Sequence, residues 1–238
     1  MSESTNGYYL DYFSGGVPPL SYFEIRVNDV RLLSGQQQKD DEEEGLNFRT
    51  ELCIIGLAAY FEAFCKDQFA AIVNIAPQTL SRFATMRDCK LPVKSLLHAL
   101  PDMSHKLGFL IAEEYDFGTA KCINSLFSDL LKLSPFSQAE MERYAKFLND
   151  RNLLVHHGGV YTLKYATQHF SPDEVKSLIN MHSLTVQHSD VEDWAEFLLS
   201  VAIKTAKASA KALLQFAADN NIVFDNKAKA AINSLNSK

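Results

Sequence analysis

"TELCIIGLAAYFEAFCKDQFAAIVNI", residues 50–75, decides the fold. Its apolar side chains run round nearly the whole circumference of a helix instead of down one stripe, the mark of a helix covered on all sides. The apolar run 52–61 is too short to span a bilayer and is followed by Glu62. The stretch is therefore expected to be the central buried helix of a globular domain.

Outward from it, the chain continues as helix after helix. Pro77 and Pro92 punctuate a less regular region, and residues 119–133 place Ile123, Leu126, Phe127, Leu130 and Leu131 at helical spacing. Ser137 with Glu140, Ser171 with Glu174 behind Pro172, and Ser189 with Glu192 each have the spacing of a capping box. The last launches a long helix with Trp194, Leu198, Val201, Ala202 and Thr205 along one side. After residue 47 no segment alternates apolar and polar residues as a strand would, so the expected class is all-α, a helical bundle.

Residues 1–46 read as an N-terminal extension. "SGGVPP" is turn material, "YFEIRVNDVRLL" suits a short strand or a helix, and the acidic run at 40–44 is that of a solvated linker. The helical domain is expected over 47–220, followed by a tail at 221–238.

The 238 residues suffice for one well-buried core. A 47% hydrophobic and 22% charged composition belongs to the soluble globular class. The opening "MSESTNGYYLDYF" has no basic start and no apolar core of a secretion signal, so a cytoplasmic protein with no membrane attachment is expected. Cys53, Cys65, Cys89 and Cys122 form no CxxC pair and read as reduced thiols, not as disulfides or a zinc site. The histidines at 98, 105, 169, 182 and 188 show no i, i+4 pairing, and no cofactor or metal is expected. A net charge of −6 argues against coating long nucleic acids, while leaving room for a site that handles a few nucleotides.

The chemistry concentrates in "NDRNLLVHHGG", residues 149–159. Leu148, Arg151, Asn152 and Val155 share one helical stripe, which places an Arg and an Asn where an apolar pattern points to the core. Asn152 and His156 stand four apart on one face. Gly158 and Gly159 suit a left-handed cap, putting His156 in the last turn, where the helix dipole favours positive charge. A forked phosphate binder, an orienting amide and the side chain that exchanges protons near neutrality suit phosphodiester chemistry. An Arg paired with a carboxylate and a His serving as a helix cap would look the same.

"RNLLVH" (151–156), on a late helix of an all-α chain and followed by Gly-Gly, resembles the R-x(4–6)-H signature of HEPN domains, with the Asn after the Arg that is common there. "LAAYFEAFCKDQF" resembles their long first core helix, and the resemblance covers roughly residues 47–220. It implies a HEPN-type bundle that dimerises so that two motifs face each other across a cleft. Many members are metal-independent endoribonucleases acting as toxins or antiviral defence effectors; others keep the fold without cutting RNA. On this resemblance Arg151, Asn152 and His156 are the expected catalytic residues, with RNA as substrate, a homodimer as the working form and a cognate inhibitor or activating protein as a further partner. The alternative is a non-catalytic helical binding or dimerisation module.

Supporting roles are weighed for five further positions and one tyrosine. Glu62, the one charge between Leu52 and Cys65, is expected to be buried and suits either pairing with Arg151 or a structural salt bridge. His157 points about 100° from His156, to the cleft edge or to solvent. Tyr161 suits stacking on a base or packing a loop onto the bundle. Lys204, Lys207 and Lys211 form a basic line suited to an RNA backbone or simply to solvent.

Overall fold

A computed structural model describes residues 8–36, 48–89, 103–179 and 182–236. Two 3₁₀ turns, Tyr9–Tyr12 and Ser14–Gly16, precede ten α-helices: α1 Pro19–Ser34, α2 Phe48–Ile75, α3 Thr79–Met86, α4 Met103–Ala112 and α5 Ala120–Leu131. After these come α6 Gln138–His157, α7 Leu163–His169, α8 Pro172–Leu178, α9 His188–Asp219 and α10 Asn226–Ser234. Among the described residues there is no strand, only an isolated antiparallel bridge between Val160 and Ser183. The fold is all-α, as its helical periodicity requires. No helix among the described residues is long and apolar enough to cross a membrane.

The chain divides into two compact units. One comprises Met1–Glu24, Phe61–Ser137 and Ser200–Lys238; the other comprises Ile25–Tyr60 and Gln138–Leu199.

In the first unit every residue from Gln68 to Ala76 is buried, so the last two turns of α2 show no face to solvent. Phe69 makes edge-on ring contacts with Phe83, Phe117 and Phe127 at 5.4, 5.6 and 6.1 Å. Asn74, a polar residue in this apolar setting, is satisfied at both ends: its Nδ2 donates to the Tyr12 carbonyl (3.1 Å) and its Oδ1 accepts from Gly108 N–H (2.7 Å). The apolar positions expected on α5 are all buried, and the Thr119 side chain caps that helix by accepting from Cys122 N–H at 3.2 Å.

The second unit is built on α6, which buries Tyr144, Phe147, Asp150, Leu153 and Leu154. The Phe147 ring lies 5.1 Å from that of Trp194 on α9. Thr50 Oγ1 donates to the Val186 carbonyl at 2.6 Å, and Cys53 Sγ to the Val30 carbonyl at 3.6 Å.

The structure draws the boundaries differently from the sequence reading. Residues 19–34 are a helix, not a strand, and its Leu20, Phe23, Val27 and Val30 are core residues at 3–4 spacing. Phe23 packs against Phe61 and Phe64 at 5.7 and 5.5 Å. Within 221–238, α10 buries Ala228, Ala231 and Ile232, packs on the Tyr9–Tyr12 turn and ties to it through Lys227 and Asp11 at 2.9 Å. The acidic run 40–44, Pro92, His98 and the side chain of His105 lie outside the described residues.

Two capping expectations have different outcomes. The Ser171–Glu174 box forms, with Glu174 Oε2 accepting from Ser171 N–H at 2.9 Å. The Ser189–Glu192 box does not: α9 starts at His188, Asp190 Oδ2 takes the Gln187 N–H at 2.8 Å, and Glu192 pairs with Arg31 at 3.0 Å. An acceptor two residues earlier than Glu192, matched to the helix start at His188, does the capping.

Gly108 marks the tightest approach. A Cβ there would stand 2.0 Å from the Ala70 carbonyl oxygen, a backbone atom with no room to move. Gly108→Ala is expected to destabilise by about 1–3 kcal/mol through overpacking, read as a lowered midpoint in thermal unfolding followed by circular dichroism.

Candidate functional site

Helix α6 ends as its sequence dictates. Gly158 and Gly159 take φ of +56° and +79°, a backbone region that side chains with a Cβ rarely enter. Gly159 N–H donates to the Leu153 carbonyl at 3.2 Å, and the Gly159 carbonyl accepts from Leu184 N–H at 2.9 Å. With Tyr161 N–H donating to the His182 carbonyl at 3.1 Å, these bonds pin the segment after α6 to the one before α9. The last turn of α6 is thus anchored.

The motif does not face the core. The buried face of α6 is Tyr144, Phe147, Asp150, Leu153 and Leu154, about 100° round from the stripe of Leu148, Arg151, Asn152 and Val155. Leu148 and Arg151 are half-buried, and Asn152, His156 and His157 are exposed. Val155 is 42% exposed. The more apolar stripe is the neighbouring one of Tyr144, Phe147, Leu153 and Leu154, with Asp150 as its single polar member, and that is the stripe the core covers.

Arg151 Nη1 donates to Asn152 Oδ1 at 2.9 Å, so the amide orients the guanidinium. Arg151 Nε is enclosed and has no hydrogen-bond partner among the described residues. Asn152, His156 and His157 line a shallow recess of about 280 Å³ with Asn149, Thr162 and Lys164. Two imidazoles, an ammonium and two amides thus converge there, a donor-rich surface that suits an anion.

A second recess, of about 520 Å³, opens on the other side of α6, and Tyr165 lines both. Its floor holds Asp150, 8% exposed, whose Oδ1 accepts from Tyr165 Oη at 2.7 Å. Burial pushes the Asp150 carboxyl above the usual carboxylate range, and the Tyr165 hydrogen bond, Lys146 and His169 partly offset this. Burial, then the bond to Asp150, drives the Tyr165 hydroxyl far up. Tyr161 stacks on Tyr165 with ring centres 5.5 Å apart and planes 12° apart, and meets Phe170 edge-on at 5.1 Å. Tyr161 therefore packs its loop and lines the recess as well. The sequence reading passed over Asp150, although its spacing from Tyr144, Phe147 and Leu154 places a carboxylate in an apolar stripe.

Other expected residues fall elsewhere. Glu62 is exposed, not buried, because it lies on the outward side of α2 between the buried Phe61 and Phe64. It belongs to the first unit, whereas Arg151 belongs to the second. Lys204, Lys207 and Lys211 are exposed on the part of α9 in the first unit. All four cysteines are free, with Cys53 and Cys65 buried and Cys89 and Cys122 half-exposed. Among the described residues no three His, Cys, Asp or Glu side chains gather as a metal site.

Because burial keeps Asp150 protonated to a higher pH than in the unfolded chain, the folded state binds more protons there. Its contribution to stability therefore falls as pH rises from the ordinary value near ~3.9 through the raised one. Asp150→Asn, which still accepts from Tyr165, is expected to lack this fall when urea midpoints are compared across that range. Tyr165→Phe, which removes a bond favouring the carboxylate, should raise the Asp150 titration further in carboxyl-carbon NMR. Comparison with protein-family models, with curated proteins and with solved structures gave no match to this chain.

Proposed function

We propose that the protein is a HEPN-type endoribonuclease that cuts RNA without a metal, at a composite site formed by two copies of the chain. The observation that carries this reading is the solvent-facing placement of Asn152, Val155 and His156, beside an Arg151 already oriented by Asn152. A catalytic set on an outward helix face is available to a second copy, and the half-buried Leu148 and exposed Val155 give that face an apolar element.

Cleavage by the RNA's own 2′-hydroxyl needs a base for that proton, an acid for the departing 5′-oxygen and positive charge at the phosphorane. One chain offers one His156 and one Arg151; two facing chains supply a pair of each. One His156 takes the 2′-proton, the other protonates the 5′-oxygen, and Arg151 binds the phosphoryl oxygens in a fork. The products carry a 2′,3′-cyclic phosphate and a 5′-hydroxyl. His157 and Lys164, in the same recess as His156, add positive charge for the RNA backbone. Such an activity in the cytoplasm calls for restraint by a cognate partner, as for a toxin or a defence effector.

The competing reading, a non-catalytic helical binding or dimerisation module, draws on the same exposed Val155 and on Leu163, 59% exposed. The two separate on one experiment, in which purified protein is incubated with mixed cellular RNA in EDTA and the fragment ends are mapped. The expected result is cyclic-phosphate ends, with His156→Ala and Arg151→Ala each lowering the rate by about 10²–10⁴-fold. A well-folded dimer that leaves RNA intact would overturn the nuclease and favour the module. A monomer at all concentrations would sink the composite-site nuclease and leave a binding module.

A further inference from the structure

The recess around Asp150 has a chemistry of its own, apart from the phosphodiester machinery proposed above. Its volume of about 520 Å³ lies within the roughly 300–1,000 Å³ of small-molecule sites. Tyr161, Tyr165, Phe170 and Trp194 give it aromatic walls, on which planar groups stack. Among these walls sits one buried carboxylate, Asp150, with Oδ1 engaged by Tyr165 and Oδ2 without a hydrogen-bond partner among the described residues. A carboxylate only accepts hydrogen bonds when ionised, so it selects a planar ligand that presents N–H donors side by side.

Of the four RNA bases, guanine alone offers two adjacent donors, the ring N1–H and the 2-amino group. Adenine and cytosine set one amino group beside an acceptor nitrogen, and uracil flanks one donor with two carbonyls; both patterns turn a lone pair toward the carboxylate. The charges suit a single phosphate. Lys146 and Arg143, whose guanidinium lies over the Trp194 and Phe197 rings at 5.4 and 4.5 Å, line the recess from α6, while Asp190 and Asp193 on α9 disfavour a polyphosphate. Asp190 is in part occupied with the Gln187 N–H.

We propose that this recess is a binding site for guanosine monophosphate, free or as a residue of an RNA chain, with Asp150 reading the base and the aromatic walls stacking on it. Asp150 and Tyr165 act here as binding groups, and the site does not depend on the cleavage reading.

The chain's single tryptophan, Trp194, lines the recess and serves as the reporter. The full-length protein is titrated with GMP, IMP, AMP, CMP and UMP while its fluorescence is followed. The expected result is a saturable change with GMP at a Kd lower by about ten-fold or more than for the others. IMP, which lacks the 2-amino group, should bind in the weaker class, a comparison that requires no altered protein. In Asp150→Asn the preference for GMP over AMP should vanish, and Tyr161→Ala should weaken GMP binding. No saturable response to any nucleotide, equal affinity for GMP and AMP, or equal affinity for GMP and IMP would each overturn the proposal. The titration contains no RNA to cut, so its failure and a failure of RNA cleavage are separate results.

Discussion

A stretch of helix with no face to water must be met on every side, and Gln68–Ala76 imposes that condition on the first unit. Phe83 on α3, Phe117 ahead of α5 and Phe127 on α5 gather round Phe69 in answer to it. Asn74 gives this otherwise non-directional packing a register. Its amide needs both a donor and an acceptor, and the Tyr12 carbonyl and the Gly108 N–H are the groups that serve. An unmet buried amide costs about 1–3 kcal/mol, so the N-terminal turn and α4 are held in definite places. The close approach at Gly108 follows from the same contact, because a Cβ there would collide with the Ala70 carbonyl.

Helix α6 does a different kind of work. Its buried face carries a carboxylate among aromatic rings, and its outward face carries the Arg-Asn-His set. The glycine pair makes this possible by stopping the helix at His157 and turning the chain back to pair with residues 182–184. Tyr165, donated by the short α7, bonds to Asp150 and forms a wall of both recesses. Motion of α7 therefore alters both at once.

Much of the fold was legible in residue spacing. The apolar positions of α5, the all-round burial of the last two turns of α2 and the glycine stop of α6 each follow from local rules and are seen, whereas the first half of α2 leaves Leu52 and Ala59 exposed. The pattern was weaker where a helix's buried face is mixed. On α6, taking the stripe of Leu148 and Val155 as the inner one put Arg151 and Asn152 inside, whereas the covered stripe is the more apolar Tyr144, Phe147, Leu153 and Leu154, interrupted by Asp150. Glu62 failed for the converse reason: it shares its outward face with the exposed Leu52, Ala59 and Ala63, whose apolar side chains hide the periodicity. The Leu20, Phe23, Val27 and Val30 spacing was present in the sequence, but the turn-rich and acidic flanks drew 1–46 into one extension.

By itself the sequence determined the all-α class, the helix ends that glycine, proline and capping residues enforce, and the grouping of Arg151, Asn152 and His156 within two turns of one helix. These are consequences of short-range geometry, set by bonds and steric limits within a few residues. Only the tertiary structure decided which face of α6 is covered, that Asp150 shares a recess with Tyr161 and Tyr165, and that Asn74 links Tyr12 to Gly108. Those facts depend on which distant segments fill the space around a helix, and packing density, not local propensity, makes that choice.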